Sequence, residues 1–579
     1  MKRVLSRSTF LFLLLLFFAS PPLFAANLPS GQDVGATTRT EETGKEKKAV
    51  EKKLRKGKEK VRVEGEEAIQ QKKPEELKEE AQVLIKKISV EGVTLIKPKV
   101  IQKIASPYEG KELSLRDFQA VADQITDEYR GKGYVTSFAY IPPQRVEQNI
   151  LRIAVIEGRV GQVKISGNKW FGTKLLSRYV DMKRDDFFNY DLLRENVRRI
   201  NERPDVNGRV VLSRGEAPGQ TDIDLEVKDR LPWHATLGYN NYNSRFLKKN
   251  KYSMELRATN FLGLGDIASG EVQLGEAGRY QLYSARYLLP VWIPQLYAGA
   301  YYIHVDQDLG HSLGNVHVTG KGDIWTSFLT YKLIDKENFS INLNPGFDYK
   351  HFLNKQDGVP SGKDELRILK LGFDFNFSDP LHGRNVVTHE FDFGIPDFMG
   401  GMPRKSQSAS RAGAESQFFR SVTNLARVQA MPFSTALLLK GAMQLTASSL
   451  PSSEQYQIGG YYTVRGYPVA EHSGDSGYQM STEFHVPPYF IPKNLMIPYT
   501  KQSLYDALSF LAFFDWGYVS NNSPKAGEHK DDFLYSVGWG LRFNVNDRIS
   551  VSFDLGIPLG KRTSDGSDVT SYIETKVFL

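Results

Sequence analysis

The sequence predicts a transmembrane antiparallel β-barrel of about 16 strands, preceded by two small α/β domains. Three observations carry this. An export leader opens the chain. No later stretch is long and apolar enough for a helical membrane span. From Leu231 to Leu579, strand-like stretches recur with apolar residues on one parity and small or polar residues on the other.

The leader reads MKRVLSRSTFLFLLLLFFASPPLFAA. Lys2, Arg3 and Arg7 form a positive start and Phe10 to Phe18 a short apolar core. Pro21 and Pro22 break that core, and Ala25 and Ala26 offer small residues for cleavage. This is the pattern of a secretory signal peptide over 1–26, too short to span a membrane comfortably. The remainder is polar, with a mean hydropathy of −0.39 for the whole chain. There is no cysteine among 579 residues. An exported chain without disulfides needs another source of stability, and a large closed sheet supplies one.

The net charge is +8. Much of the excess lies in KEKKAVEKKLRKGKEKVR (45–62), and export argues against a nucleic-acid partner. Residues 27–85 hold too few apolar side chains to build a core and read as a charged, solvated linker. A helix is expected within it at PEELKEEAQVLI, about 74–84, which opens on proline and acids and continues in strong helix formers.

Two similar α/β units follow, at 86–160 and 161–230. In the first, KKISVEGVTLI (86–96) reads as a strand and SLRDFQAVADQITDEYRGKG (114–133) as a helix capped by Ser114. Leu115, Phe118, Val121, Ala122, Ile125 and Tyr129 share one face of that helix, and Gly131 and Gly133 end it. The strands VTSFAYIPPQRV (135–146) and NILRIAVIEGRV (149–160) complete the unit. The second repeats the order. QVKISGN (162–168) is followed by helices at 173–181 and 189–204, then by a hairpin at 206–230. Leu193, Val197 and Ile200 line the longer of these helices.

In the barrel region parity is explicit. Val537, Trp539, Leu541, Phe543 and Val545 oppose Ser536, Gly538, Gly540, Arg542 and Asn544. Ile549, Val551, Phe553, Leu555 and Ile557 oppose Ser550, Ser552, Asp554 and Gly556. A soluble sandwich also alternates, but the leader and the 12% aromatic content favour a lipid-facing exterior with a polar lumen. Roughly 350 residues at about 22 per strand and connection agree with an even count near sixteen.

Catalytic and ligand motifs are weak. NFLGLGD (260–266), with Asn260, Gly263, Gly265 and Asp266, contains Gly-x-Gly, but strands flank it and no helix follows, so it reads as a hairpin turn rather than a nucleotide loop. The ten histidines form no metal-ligand spacing, and no nucleophile elbow appears. No enzyme activity, cofactor or metal is expected.

Two motifs remain. GGYYTVRGYP (459–468) sits in a span, about 455–477, longer than a hairpin needs. FFDWG (513–517) lies on a strand whose even positions from Leu508 to Tyr518 are mostly large and apolar and face lipid. Asp515 then faces the lumen with Phe513 and Gly517, and a lumenal carboxylate needs a counter-charge or water. Arg465 supplies one if the loop folds inward, as a directional guanidinium–carboxylate pair.

VRGY (Val464, Arg465, Gly466, Tyr467) with F-x-D-x-G (Phe513, Asp515, Gly517) resembles the outer-membrane protein insertase and translocase superfamily. NFLGLGD is similar to its early hairpin. The resemblance covers residue 86 to the end and identifies the α/β units as POTRA domains. With two such units and the string SSEQYQIGGYYTVRGY…SGDSGY, the sequence is closest to two-partner-secretion transporters of the haemolysin-activator type. The resemblance implies a Gram-negative outer-membrane location with POTRA domains in the periplasm. It implies an in-folded sixth loop locked by Arg465 and Asp515. It also implies export of one unfolded partner exoprotein, of adhesin or cytolysin class, bound through the POTRA domains. Outer-membrane lipid and, during biogenesis, the barrel-assembly machinery are the other implied partners. The alternative within the superfamily is an insertase of outer-membrane proteins, for which more POTRA units are expected. A passive porin gives no reason for periplasmic modules. Barrels of the superfamily usually end in an aromatic residue, whereas here Leu579 follows Phe578, with Leu579, Val577 and Ile573 on the lipid parity.

Overall fold

The computed structural model describes residues 33–55, 63–64, 82–291, 293, 295–310, 317–336, 338–524 and 528–579. The leader lies outside these. By contacts the chain divides into two units, residues 58–232 with 259–265, and the remainder.

In the α/β unit, the first domain pairs strand Lys87–Glu91 in parallel with Ile150–Ile156, which pairs antiparallel with Phe138–Tyr140. Helix Leu115–Arg130 packs on this sheet through Phe118, Val121, Ala122, Ile125 and Tyr129. It starts at a reciprocal cap. Ser114 Oγ accepts from the Asp117 amide, and Asp117 Oδ2 accepts from the Ser114 amide at 2.7 Å. The strand expected over 135–146 is only three residues, because Pro142 and Pro143 cannot donate to a ladder. Glu157 ties the domain together, accepting from the Thr94 and Leu95 amides at 2.7 and 2.8 Å and from Tyr129 Oη at 2.7 Å. Burial raises its pKa, but the hydrogen bonds from Thr94, Tyr129 and Leu95 outweigh that and hold the carboxyl below its usual range.

The second domain repeats the order around its own core of Leu193, Val197, Ile200, Val210, Leu212, Ile223 and Leu225. Its sheet gains a strand from the preceding segment, Val63–Glu64, which pairs in parallel with Val210 and Val211 at the edge of Val206–Arg214. Residues 259–265 belong to this unit. Arg203 donates to the Gly265 carbonyl at 3.0 and 3.1 Å, and the Gly265 amide donates to Asn260 Oδ1 at 2.8 Å. Gly263 and Gly265 have positive φ, as a tight turn requires.

Sixteen antiparallel strands close into a barrel. In order they are β1 Trp233–Asn240, β2 Lys251–Ala258, β3 Ile267–Gly275, β4 Tyr280–Pro290, β5 Leu296–Gly310, β6 Val318–Lys336, β7 Phe339–Gln356 and β8 Val359–Ser378. The second half is β9 Gly383–Gly394, β10 Phe419–Ala430, β11 Ala436–Thr446, β12 Ser476–Val486, β13 Leu508–Ser520, β14 Asp531–Val545, β15 Ile549–Pro558 and β16 Thr570–Phe578. The closing pair, β1 with β16, is matched over five residues, from Thr236–Phe578 to Asn240–Glu574. Outward positions carry the large apolar side chains, among them Leu237, Met254, Trp325, Leu369, Phe514 and Trp539. Inward positions carry charge, among them Glu271, Asp348, Lys370, Lys440 and Arg542. Asp266, just before β3, is buried and accepts from Tyr287 Oη at 2.9 Å.

The linker expectation is corrected. Residues Val34–Arg55 form a 22-residue helix, α1, inside the lumen. At about 1.5 Å per residue it is ~33 Å long, the scale of a membrane. Its charges are not solvated spares but partners of the wall. The helix expected near 74–84 falls mostly outside the described residues, and Val83–Ile85 is a strand.

Candidate functional site: the lumenal loop and its lock

The connection between β11 and β12 does not extend away from the barrel. Tyr456–Ile458 pairs with His472–Gly474 as a short hairpin, and its tip, 459–471, packs against the inner wall. Gly459 and Gly466 have φ of 105° and 99°. At Gly466 a Cβ would stand 3.1 Å from the Gly556 carbonyl carbon and the Pro558 nitrogen, so the loop backbone lies directly on β15.

That seating delivers Arg465 to Asp515. Arg465 Nε donates to Asp515 Oδ2 at 2.7 Å, Nη2 to Oδ1 at 2.8 Å, and the Arg465 amide to Oδ2 at 3.2 Å. The guanidinium stacks on Phe513, 3.5 Å from the ring centre. Val464 is buried against the bare face of Gly517, where a Cβ would meet Ile458 at 2.9 Å and Val464 at 3.1 Å. Tyr467 is buried, and its hydroxyl accepts from the Gly560 amide at 3.1 Å. The structure thus brings Val464, Arg465, Gly466, Tyr467, Phe513, Asp515 and Gly517 into one contact. Asn260, Gly263, Gly265 and Asp266 are not part of it.

Several partners were not singled out from sequence. Glu483 on β12 lies 3.0 Å from Arg465 Nη2, and Asp554 on β15 lies 3.8 Å from Nη1. Asp554 also takes both Arg542 amino groups, at 2.8 and 2.9 Å, and Glu483 takes Lys440 at 2.9 Å. Three carboxylates of the wall thus face three cations, Arg542 and Lys440 on the wall and Arg465 on the loop. Tyr572 on β16 accepts from the Gly466 amide at 3.0 Å and donates to the Tyr467 carbonyl at 3.2 Å. The signal for Glu483, Arg542 and Asp554 was present, since each is a charged residue on the inward parity of its strand.

α1 touches the same loop. Gln457 Nε2 donates to the Ala36 carbonyl at 3.0 Å, Thr40 Oγ1 donates to Gln457 Oε1 at 2.7 Å, and Lys47 donates to the Tyr462 carbonyl. The Tyr462 ring crosses the helix at Gly44, where a Cβ would stand 2.6 Å from it. Elsewhere α1 pairs with the wall through Glu41–Lys251, Lys45–Glu271, Lys48–Glu574, Lys53–Asp374 and Glu51–Lys440. Lys440 therefore joins α1 to Glu483 and, through it, to Arg465. Around the helix a cavity of about 1260 Å³ persists, lined by charged residues of helix and wall. Among the described residues no group of side chains could hold a metal ion, and no helix is long and apolar enough to cross a membrane.

A family profile described as haemolysin secretion/activation protein ShlB/FhaC/HecB matches residues 219–543, and a POTRA domain of ShlB type matches 83–158. The heme/hemopexin transporter protein HuxB of Haemophilus influenzae is 24% identical over 469 residues, covering 79% of this chain and 80% of that protein. The outer membrane transporter CdiB of Escherichia coli is 22% identical, covering 82% and 79%. Among solved structures, CdiB from Escherichia coli superposes with a TM-score of 0.72 at 18% identity, over 96% of this chain and all of that one. BamA from Haemophilus ducreyi, lacking its first three POTRA domains, gives 0.52 at 15% identity, over 86% and 100%.

Proposed function

The chain belongs to the haemolysin secretion/activation family of ShlB, FhaC and HecB, and from that premise we propose that Arg465 and Asp515 lock the sixth loop to the barrel wall in the position that permits export. The protein is an outer-membrane transporter of the two-partner-secretion type, with its POTRA region in the periplasm. The insertase alternative fits less well, given the CdiB and HuxB relatives and the CdiB superposition.

Its cargo is one unfolded exoprotein of adhesin or cytolysin class. The second POTRA sheet is capped on one side by Val63–Glu64 and leaves strand Arg159–Ser166 at its other edge, which suits recognition by strand addition. The chain then threads the lumen, and folding outside gives direction. The barrel-assembly machinery inserts the barrel during biogenesis. The observation that carries the lock is the bidentate, stacked, fully buried Arg465–Asp515 pair, since breaking a buried pair costs on the order of 3–5 kcal/mol.

Cells expressing the transporter with its partner exoprotein test this. Arg465→Ala is expected to lower the amount of exoprotein outside the cell while a heat-modifiable barrel remains in the outer membrane. Undiminished export with Arg465→Ala overturns the lock.

A further inference from the structure

The connection between β12 and β13, residues 487–507, is long. It lies at the barrel end where β1 begins, the periplasmic end. Other connections there run over 379–382, 431–435 and 546–548. Short turns are usual on that side of a barrel. This one, PPYFIPKNLMIPYTKQSLYDA, is apolar and aromatic, and its only charges before Asp506 are Lys493 and Lys501.

The segment is built, not loose. The Ile497 amide donates to the Gln502 carbonyl at 3.0 Å and the Leu504 amide to the Leu495 carbonyl at 2.8 Å. Ser503 caps the short helix Leu504–Ala507. Gln502 Nε2 donates to the Asn544 carbonyl at 3.0 Å, and Tyr489 Oη donates to the Phe433 carbonyl at 2.5 Å, so the segment is tied to the turns on either side. Those ties hold apolar side chains outward. Phe490 is 75% exposed and Tyr499 fully exposed, Leu495 and Met496 are about half exposed, and Phe433 on the adjoining turn is 85% exposed. Tyr499 keeps a φ of 61°, a conformation bulky residues rarely adopt. Contiguous exposed apolar groups of this size mark an interaction surface.

The direction of the segment selects the partner. The Phe490 ring lies 5.8 Å from that of Phe510, and Phe510 is on the lipid-facing parity of β13, opposite to Leu511, Phe513 and Asp515. The patch is therefore continuous with the lipid-facing wall through Phe484, Phe510 and Phe514 rather than with the lumen. Aromatic rings at the edge of an apolar band, joined by two lysines and with the one acid, Asp506, held at the cap of the short helix, are the chemistry of an interfacial anchor on anionic headgroups.

We propose that residues 487–507 with Phe433 form a membrane foot, which lies in the headgroup zone of the periplasmic leaflet and takes anionic phospholipid as its partner. The aromatic tips enter the boundary between headgroups and acyl chains, about 5–10 Å deep. Lys493, 5.1 Å from the Tyr505 ring centre, and Lys501 meet the phosphates.

The cysteine-free chain makes the test direct. Single replacements Phe490→Cys, Tyr499→Cys and, on the extracellular turn, Gly358→Cys are labelled with an environment-sensitive fluorophore. The full-length protein is placed in nanodiscs of phosphatidylethanolamine and phosphatidylglycerol. The labels at 490 and 499 are expected to be quenched by lipids brominated high on the acyl chain and shielded from iodide, and the label at 358 to behave oppositely. Iodide access at both 490 and 499 overturns the proposal. So does shielding without lipid quenching, which would mean a protein partner or a second copy. Tyr499, fully exposed, carries the test if Phe490→Cys fails to fold. Lys493→Glu with Lys501→Glu is expected to abolish the emission difference between nanodiscs with phosphatidylglycerol and those with phosphatidylcholine alone. An unchanged difference overturns the role of anionic headgroups.

Discussion

Two charged elements occupy the lumen, the sixth loop and α1, and they are held by opposite means. The loop is held by one dense contact. Arg465 and Asp515 are 4% and 0% exposed, the guanidinium is bidentate and stacked, and glycines at 466 and 517 bring backbones and side chains into direct contact. α1 is held by many sparse contacts. Its first turn is buried, with Val34 packed among Leu282, Val305 and Phe352. From Lys45 onward the pairs are close but partly exposed, with Lys48 and Lys53 41% and 37% exposed. Exposed pairs are worth about 0–1 kcal/mol each and weaken with salt, whereas a buried directional pair is expensive to break. The loop is thus held by a buried directional pair, and the second half of α1 by pairs that salt can screen.

That contrast can be broken in order of expected effect. Deleting residues 34–55 should raise single-channel conductance in planar bilayers several-fold, because the helix occupies much of the lumen. An unchanged conductance would remove α1 as the obstruction. Next, Arg465→Lys keeps the charge but loses the fork and much of the stacking, and should export less than the parent but more than Arg465→Ala. Equal export by Lys and Arg would mean that charge alone suffices. Third, raising potassium chloride toward 1 M, where the screening length is about 3 Å, should favour open events in the parent beyond the rise from added carriers. The helix-deleted protein should show only the latter. Last and smallest, Glu157 lies outside the lumen. Because its folded carboxyl sits below the ordinary 4.5, its stabilisation is full above that pH and is lost as pH falls through the folded value. Glu157→Gln should flatten the acid side of the first POTRA domain's melting profile and leave export at neutral pH nearly unchanged.

The two elements also differ in how far they could be read in advance. The strands were legible because a barrel wall has two solvents, lipid and lumen, and side-chain parity records both. The same parity turned Asp515 inward and marked Arg465, fifty positions earlier, as a counter-charge. Glu483, Arg542 and Asp554 follow from the identical rule applied to neighbouring strands. α1 was not legible. Lys45, Lys48, Glu51 and Lys53 read as solvated charges because their partners, Glu271, Glu574, Lys440 and Asp374, are hundreds of residues away. The outward aromatics of 487–507 were likewise silent, since a long apolar connection carries no periodicity to read.

Composition adds a consequence to the sparse hold on α1. Its first half is Val34-Gly-Ala-Thr-Thr-Arg-Thr-Glu-Glu-Thr-Gly44, poor in helix formers. Thr38 turns back to the Val34 carbonyl at 2.6 Å, and Gly44 survives in mid-helix because the Tyr462 ring needs its space. A helix with so weak a first half depends on packing against its surroundings for most of its stability. Taken out of the lumen, this segment would lose its helix as well as its contacts, and reseating it would be a folding reaction templated by the barrel wall.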